Sequence, residues 1–158
     1  MLIASALSLC LIGICIIMYM MLQVSWQETN AVLEIERKAS LAMERLLRGF
    51  NADSDLAPRG LLDAKSFVID EPGRIRFTSG IDSVERSFYF DDGRLMYDPN
   101  TSIGTNEILL TEGISILTFS VPSGGPAKLV LINIMVSKQV RGVAKNINLW
   151  GAASLRNG

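Results

Sequence analysis

The chain opens with an unbroken apolar run from Met1 to Leu22, and no charged residue comes before Glu28. As a helix that rises about 1.5 Å per residue, this run would be about 33 Å long. The hydrocarbon core of a bilayer is about 30 Å thick. The run therefore predicts a membrane-spanning helix, which we place at residues 1–24, and it predicts a lipid bilayer as one partner of the protein.

A cleaved secretory signal peptide is the alternative interpretation of the same run. Signal peptides carry basic residues before an apolar core of about 7–15 residues and have small residues at the cleavage site. No Lys or Arg precedes this run, and Met18–Gln23 offers no small-x-small site, so the pattern favours an anchor. Its orientation cannot be read from charge, because the first basic residues, Arg37 and Lys38, lie well beyond the run.

Composition argues against several classes of function. The net charge is −1 and the basic residues are scattered, which gives no electrostatic case for nucleic acid. The chain has no histidine, the commonest general base and a common metal ligand. Both cysteines, Cys10 and Cys15, lie in the apolar run, about 140° apart around a helix, so they cannot pair.

The remainder of the chain contains no motif that is typical of a catalytic, nucleotide-binding or metal-binding site. No Gly-rich segment leads into a Lys-Ser or Lys-Thr pair, and the aspartates lack the spacing of a calcium loop. We therefore predict no catalytic residue, no metal site, no cofactor and no small-molecule substrate. A membrane-tethered enzyme would need a clustered polar pocket that the sequence does not show.

The helix is expected to continue beyond the membrane. There is no Gly or Pro from Gln23 to Arg48, helix-forming residues dominate, and Gly49 supplies a C-cap. This pattern predicts an amphipathic helix over residues 25–50 that continues the first helix without a break. Its apolar residues recur every three or four positions and form one stripe. The members of this stripe are Val32, Ile35, Ala39, Ala42, Met43, Leu46 and Phe50.

After a linker at residues 51–65, the apolar period changes from 3.6 to 2, which is typical of strands. Two aromatic-rich runs flank Asp91-Asp92-Gly93, a strong hairpin signal. Residues 66–158 therefore predict one antiparallel sheet of about six to eight strands, which needs cover on its apolar face. The expected fold is α+β, with the stripe of the helix packed on the sheet. A partner-binding surface on the same stripe is the alternative.

Within the apolar run, Ala4, Ser8 and Cys15 share one face of the helix. Ala4 and Ser8 form a small-x-x-x-small pair, which allows two membrane helices to approach closely. Helix packing through this face is one interpretation, and exposure of incidental small residues to lipid is the other.

The order of an apolar helix, an amphipathic helix and an antiparallel sheet resembles the type IV pilin and pseudopilin family. The second half is similar to minor pseudopilins of the J type in type II secretion and to related minor pilins. Segments that carry the resemblance are Met1–Leu9, Phe88–Leu95, Tyr97–Pro99, Leu109–Ile114 and Leu155–Asn157. Prepilins have a basic leader, a Gly cleavage site and a Phe-Thr-Leu-Ile-Glu box before this pattern, and all three are missing here. We expect that the chain begins at an internal methionine; a shortened, unprocessed relative is the alternative.

The resemblance implies a membrane-anchored structural subunit that packs its apolar helix with other pilin-like subunits in a secretion pseudopilus or pilus. It also implies a bacterial inner-membrane location, a single membrane pass and a sheet domain in the periplasm. The rival from another class is a tethered periplasmic binding or assembly-factor domain that never enters a filament.

Overall fold

The computed structural model describes residues 2–49, 59–104, 107–124 and 128–155, with side chains from residue 7 onward. Its first element is a single unbroken helix, α1 (Leu2–Arg48). Gly49 ends it with a φ of 87°, and the Gly49 N–H donates to the carbonyl oxygen of Arg45 at 2.8 Å. The predicted continuous helix is therefore confirmed up to Arg48, whereas Phe50 lies outside the described residues.

The strands form two antiparallel sheets instead of the single sheet that was expected. The first sheet has the order β1-β2-β3-β4-β5 and the second has the order β6-β7-β8. The strands are β1 (Ala64–Glu71), β2 (Arg74–Ser79), β3 (Glu85–Asp91), β4 (Arg94–Asp98), β5 (Ile108–Glu112), β6 (Ile114–Ser120), β7 (Leu129–Val140) and β8 (Val143–Ser154). Together with α1 they make the α+β fold predicted from the sequence.

Gly113 is the residue that divides the two sheets. It stands alone between β5 and β6 with a φ of 83°, a conformation that glycine adopts without steric cost. The N–H groups of Gly113 and Ile114 both donate to the carbonyl oxygen of Gly93, at 2.9 and 3.1 Å. The chain changes direction here, so β5 pairs with β4 while β6 pairs with β7.

Two tight hairpins fix the register of the longer strands. Asp92 and Gly93 join β3 to β4 with φ values of 41° and 80°, which is the type I′ pattern that an Asp-Gly pair predicts. Arg141 and Gly142 join β7 to β8 with φ values of 52° and 79°. Directly after this second turn, β8 begins at Val143.

The predicted linker over residues 51–65 is only partly described. Residues 51–58 lie outside the described ranges, but Leu61–Asp63 form a 3₁₀ turn and β1 already begins at Ala64. Leu61 is fully buried. The last part of this segment therefore belongs to the folded domain and packs against the end of α1.

Candidate functional site

The N-terminal half of α1 is an apolar surface that the rest of the protein leaves uncovered. From Leu7 to Leu22 every large apolar side chain is more than half exposed. An 18-residue window in this half has a mean hydropathy of 2.3, and none of it is buried against the sheets. By length and composition, this is the one helix among the described residues that meets the requirement for crossing a membrane.

The small-residue face of this half points away from the sheets. Ser8 and Cys15 are exposed, while the side chain of Ala4 lies outside the described residues. At about 100° per residue, Ser8 and Cys15 lie within about 20° of each other and roughly opposite Ile35, which faces the sheets. Trp26 and Leu33 share the outward side and are 67% and 56% exposed. One continuous outward face therefore runs from the apolar half into the amphipathic half.

The amphipathic half is covered along one stripe. Ile35, Ala39 and Leu46 are buried, and Met43 packs against the same core while remaining partly exposed. Ala31, which the predicted stripe did not include, is 6% exposed at the start of the buried side of the helix. Ala42 completes the stripe and is fully buried.

Val32, a member of the expected stripe, is 37% exposed and therefore less completely covered than Ile35 or Ala39. It lies about 60° around the helix from Ile35, whereas Ala31 lies about 40° away on the other flank. Helical spacing is compatible with burial of either residue, and in the structure Ala31 is the more deeply buried of the two.

Polar contacts join the helix to the β7–β8 hairpin. Glu34 pairs with Lys38 at 3.1 Å and also with Lys138 of β7, and Glu28 pairs with Lys145 of β8 at 3.5 Å. The hydrogen bonds that Glu34 accepts from Lys138 and Lys38, above all the one from Lys138, lower the pKa of the Glu34 carboxyl. The ion pairs are exposed, so each contributes modestly to stability, and they set the alignment of the hairpin with the helix.

Gly151 in β8 lies against the side chain of Met43. A Cβ atom at Gly151 would lie 2.5 Å from the Met43 sulfur, so a larger residue displaces the flexible end of that side chain. Because Met43 is partly exposed and can move, we expect Gly151→Ala to lower the free energy of unfolding by no more than about 1 kcal/mol. Adding Met43→Ala should recover part of this loss, because the displaced atoms are then absent. Urea denaturation of the two single variants and the double variant in detergent measures this coupling, and strictly additive losses would contradict the contact.

A second polar cluster joins the segment after the helix to the first sheet. The Arg86 guanidinium donates to both carboxylate oxygens of Asp82, at 2.9 and 2.6 Å, and Arg59 approaches the same carboxylate at 3.6 Å. This bidentate contact with Arg86 holds the pKa of Asp82 well below its usual range, and burial raises the pKa of the neighbouring Tyr97. The cluster pairs opposite charges and places no activated nucleophile beside them, so its evident role is structural.

The Asp82 cluster predicts a dependence of stability on acid. We expect Asp82→Asn to cost about 1–2 kcal/mol at pH 7, between the value of an exposed pair and that of a buried charged hydrogen bond. Because the folded pKa is depressed, the contribution of Asp82 is complete above the unfolded pKa of about 3.9 and is lost as the pH falls below it. The difference between wild type and variant should therefore shrink between pH 5 and pH 2 in chemical denaturation. A constant difference would contradict it, and the turn variant Asp92→Asn serves as the surface control.

An open, mostly apolar groove of about 450 Å³ lies between the end of α1 and β8. Its lining residues are Ser40, Met43, Glu44, Leu47, Arg48, Leu62 and Leu149. In the part of the chain that the structure describes, no group of three or more Cys, Asp or Glu side chains is placed to hold a metal ion.

The architecture of an apolar N-terminal helix on antiparallel sheets is pilin-like. Comparisons with protein-family models, with curated proteins and with solved structures give no match to this chain. The long helix, with its uncovered apolar half and its outward small-residue face, is the candidate functional site.

Proposed function

We propose that this protein is a membrane-anchored structural subunit of the pilin type, which assembles by packing its apolar helix against the helices of other subunits. The observation that carries the proposal is the uncovered apolar half of α1. The 12 large apolar side chains exposed between Leu7 and Leu22 are unstable in water. Lipid and the helices of other subunits are the two environments that cover such a segment on every side.

The unbroken helix supports assembly as well as anchoring. Since α1 continues from Leu2 to Arg48 without a kink-forming Gly or Pro in its second half, the sheet domain is held rigidly on the membrane segment. The outward face carries Ser8 and Cys15 in the apolar half and Trp26 and Leu33 in the amphipathic half. Small residues permit close helix approach, which supplies packing attraction where lipid gives little hydrophobic drive.

The resemblance to J-type minor pseudopilins and related minor pilins extends the proposal. On this basis we propose a place in a secretion pseudopilus or type IV pilus, a bacterial inner-membrane anchor and a periplasmic sheet domain. A tethered periplasmic binding or assembly-factor domain would use the same anchor but would leave the outward face of the helix in contact with lipid.

The experiment compares wild type with the double variant Ala4→Leu and Ser8→Leu. A photo-reactive amino acid at Leu11, an exposed position near the same face, reports contacts in native membranes. Leucine suits lipid, so insertion should be unchanged, but its bulk should separate the helices and reduce cross-linking to partner subunits. Unchanged cross-linking to every partner would show that the face meets lipid and would refute assembly through it.

A further inference from the structure

The β7–β8 hairpin runs alongside α1 toward the membrane segment. Lys145 of β8 pairs with Glu28, and Gly151 further along β8 lies against Met43. The helix advances about 22 Å from Glu28 to Met43, and the strand advances about 20 Å from Lys145 to Gly151. Helix and strand therefore run in the same general direction. Lys138, which lies opposite Lys145 in the hairpin, pairs with Glu34 further along the helix, so the hairpin is inclined to the helix axis.

This alignment places the tip of the hairpin beside the end of the apolar run. Val143 precedes Lys145 by two residues, or about 7 Å along the strand, which brings it level with Val24 of the helix. The burial of the helix agrees, because Val24 is half-buried, whereas Met21 and Leu22 are each 67% exposed. The cover that the sheets give to α1 ends at Val24, next to the last residue of the apolar run.

The exposed tip combines one cation with apolar side chains. Val143 is 58% exposed, and Arg141 is exposed in the turn with a positive φ that directs the chain back sharply. Trp26, 67% exposed on the outward side of the helix, lies at about the same level. Trp and Arg are residues that suit the boundary between headgroups and acyl chains, where apolar surface and phosphate are both within reach.

We propose that the tip of the β7–β8 hairpin (Val140–Val143) is a second membrane contact, which rests on the phospholipid headgroups next to the sheet domain. The Arg141 guanidinium binds lipid phosphate, and the Val143 side chain enters the boundary of the acyl chains. This proposal depends on one part of the proposed function, namely that α1 anchors the protein in a membrane. Because the hairpin lies on the side opposite Ser8 and Cys15, this contact fixes the rotation of the sheet domain and leaves the outward face of α1 free for other helices.

The test uses the full chain in vesicles of phosphatidylcholine and phosphatidylglycerol. With Cys10→Ser and Cys15→Ser no native cysteine remains, so an environment-sensitive fluorophore can be attached to Val143→Cys alone. The matched control is Val121→Cys, another exposed valine, which lies about 30 Å away at the opposite end of the same sheet. We expect lipids with a spin label near the headgroup to quench the Val143 label several-fold more than the Val121 label. Equal quenching at the two positions would overturn the proposal.

A label at a third position distinguishes failure of the hairpin contact from failure of the membrane anchor. In a chain that keeps Cys15 but carries Cys10→Ser, the label at Cys15 reports the membrane segment. Quenching at Cys15 without quenching at Val143 would overturn the hairpin contact and leave the anchor in place, whereas no quenching at either position would overturn both. Adding Arg141→Glu should reduce quenching of the Val143 label in vesicles with phosphatidylglycerol, and an unchanged value would overturn the role of Arg141.

Discussion

Replacing Leu46 with aspartate should lower the free energy of unfolding by at least about 4 kcal/mol. Leu46 is fully buried in the stripe between α1 and the sheets. Loss of such a side chain costs about 2–5 kcal/mol, and the carboxylate that takes its place is desolvated without a partner. Urea denaturation of the full chain in detergent, followed by the signal of the sheet domain, measures the loss.

Leu33→Asp is the matched control for this experiment. The same change is made on the same helix, but Leu33 is 56% exposed on the outward side, so its cost should stay near the small values of surface substitutions, about 0.5 kcal/mol. Glu44→Ala, which removes only an exposed ion pair with Arg48, should cost equally little. Similar losses for Leu46→Asp and Leu33→Asp would contradict the packing of the helix on the sheets.

Two aspartates in the apolar run should release the protein from the membrane. Ile12 and Ile16 are 56% and 54% exposed on the uncovered half of α1. A carboxylate near the centre of a membrane helix costs about 2.5–3.5 kcal/mol, so Ile12→Asp with Ile16→Asp should oppose insertion by about 5–7 kcal/mol, or roughly four orders of magnitude in partition. Washing membranes with alkaline carbonate should leave wild type in the pellet and release the double variant.

In the control for the release experiment, two exposed isoleucines outside the apolar run are replaced by aspartate. Ile81 and Ile103 are 65% and 58% exposed on loops of the sheet domain, so Ile81→Asp with Ile103→Asp should remain in the pellet with wild type. A chain that starts at Gln27 should be found in the wash. Retention of the Ile12 and Ile16 double variant would show that this run does not hold the protein in the bilayer.

Local signals in the sequence were sufficient to predict the long helix and the tight hairpin between β3 and β4. The absence of Gly and Pro from Gln23 to Arg48 predicts one long helix, and the spacing of its apolar residues predicts the buried side. Asp92-Gly93 predicts a two-residue turn, because this pair tolerates the two positive φ values that the turn needs. Each of these features depends on residues close together in the chain.

Features that depend on distant contacts were missed. A single glycine at Gly113 looks like a short interruption within a run of strand residues, yet the partners of β5 and β6 decide that it divides two sheets. Val32 and Ala31 are both compatible with the helical spacing, so contacts with the distant strands determine which one is more deeply buried.

Identifying the outward face of α1 requires both the sequence and the structure. Helical geometry groups Ala4, Ser8 and Cys15 on one face, and the burial of Ile35 against the sheets places Ser8 and Cys15 on the opposite side of the helix. The polar cluster of Asp82 and Arg86 has no motif of its own, because its geometry depends on the turn between β2 and β3 and on the segment around Arg59.

Cross-linking from the two native cysteine positions tests assembly of the helix most directly. Cys15 lies on the outward face, and Cys10 lies about 140° away, toward the side of the sheets. A photo-reactive amino acid placed at either position in native membranes should give different products, which mass spectrometry identifies. We expect position 15 to form adducts with the N-terminal helices of other subunits and position 10 to form mainly lipid adducts. Equal yields of lipid adducts at both positions, with no helix adduct at position 15, would contradict assembly through this face.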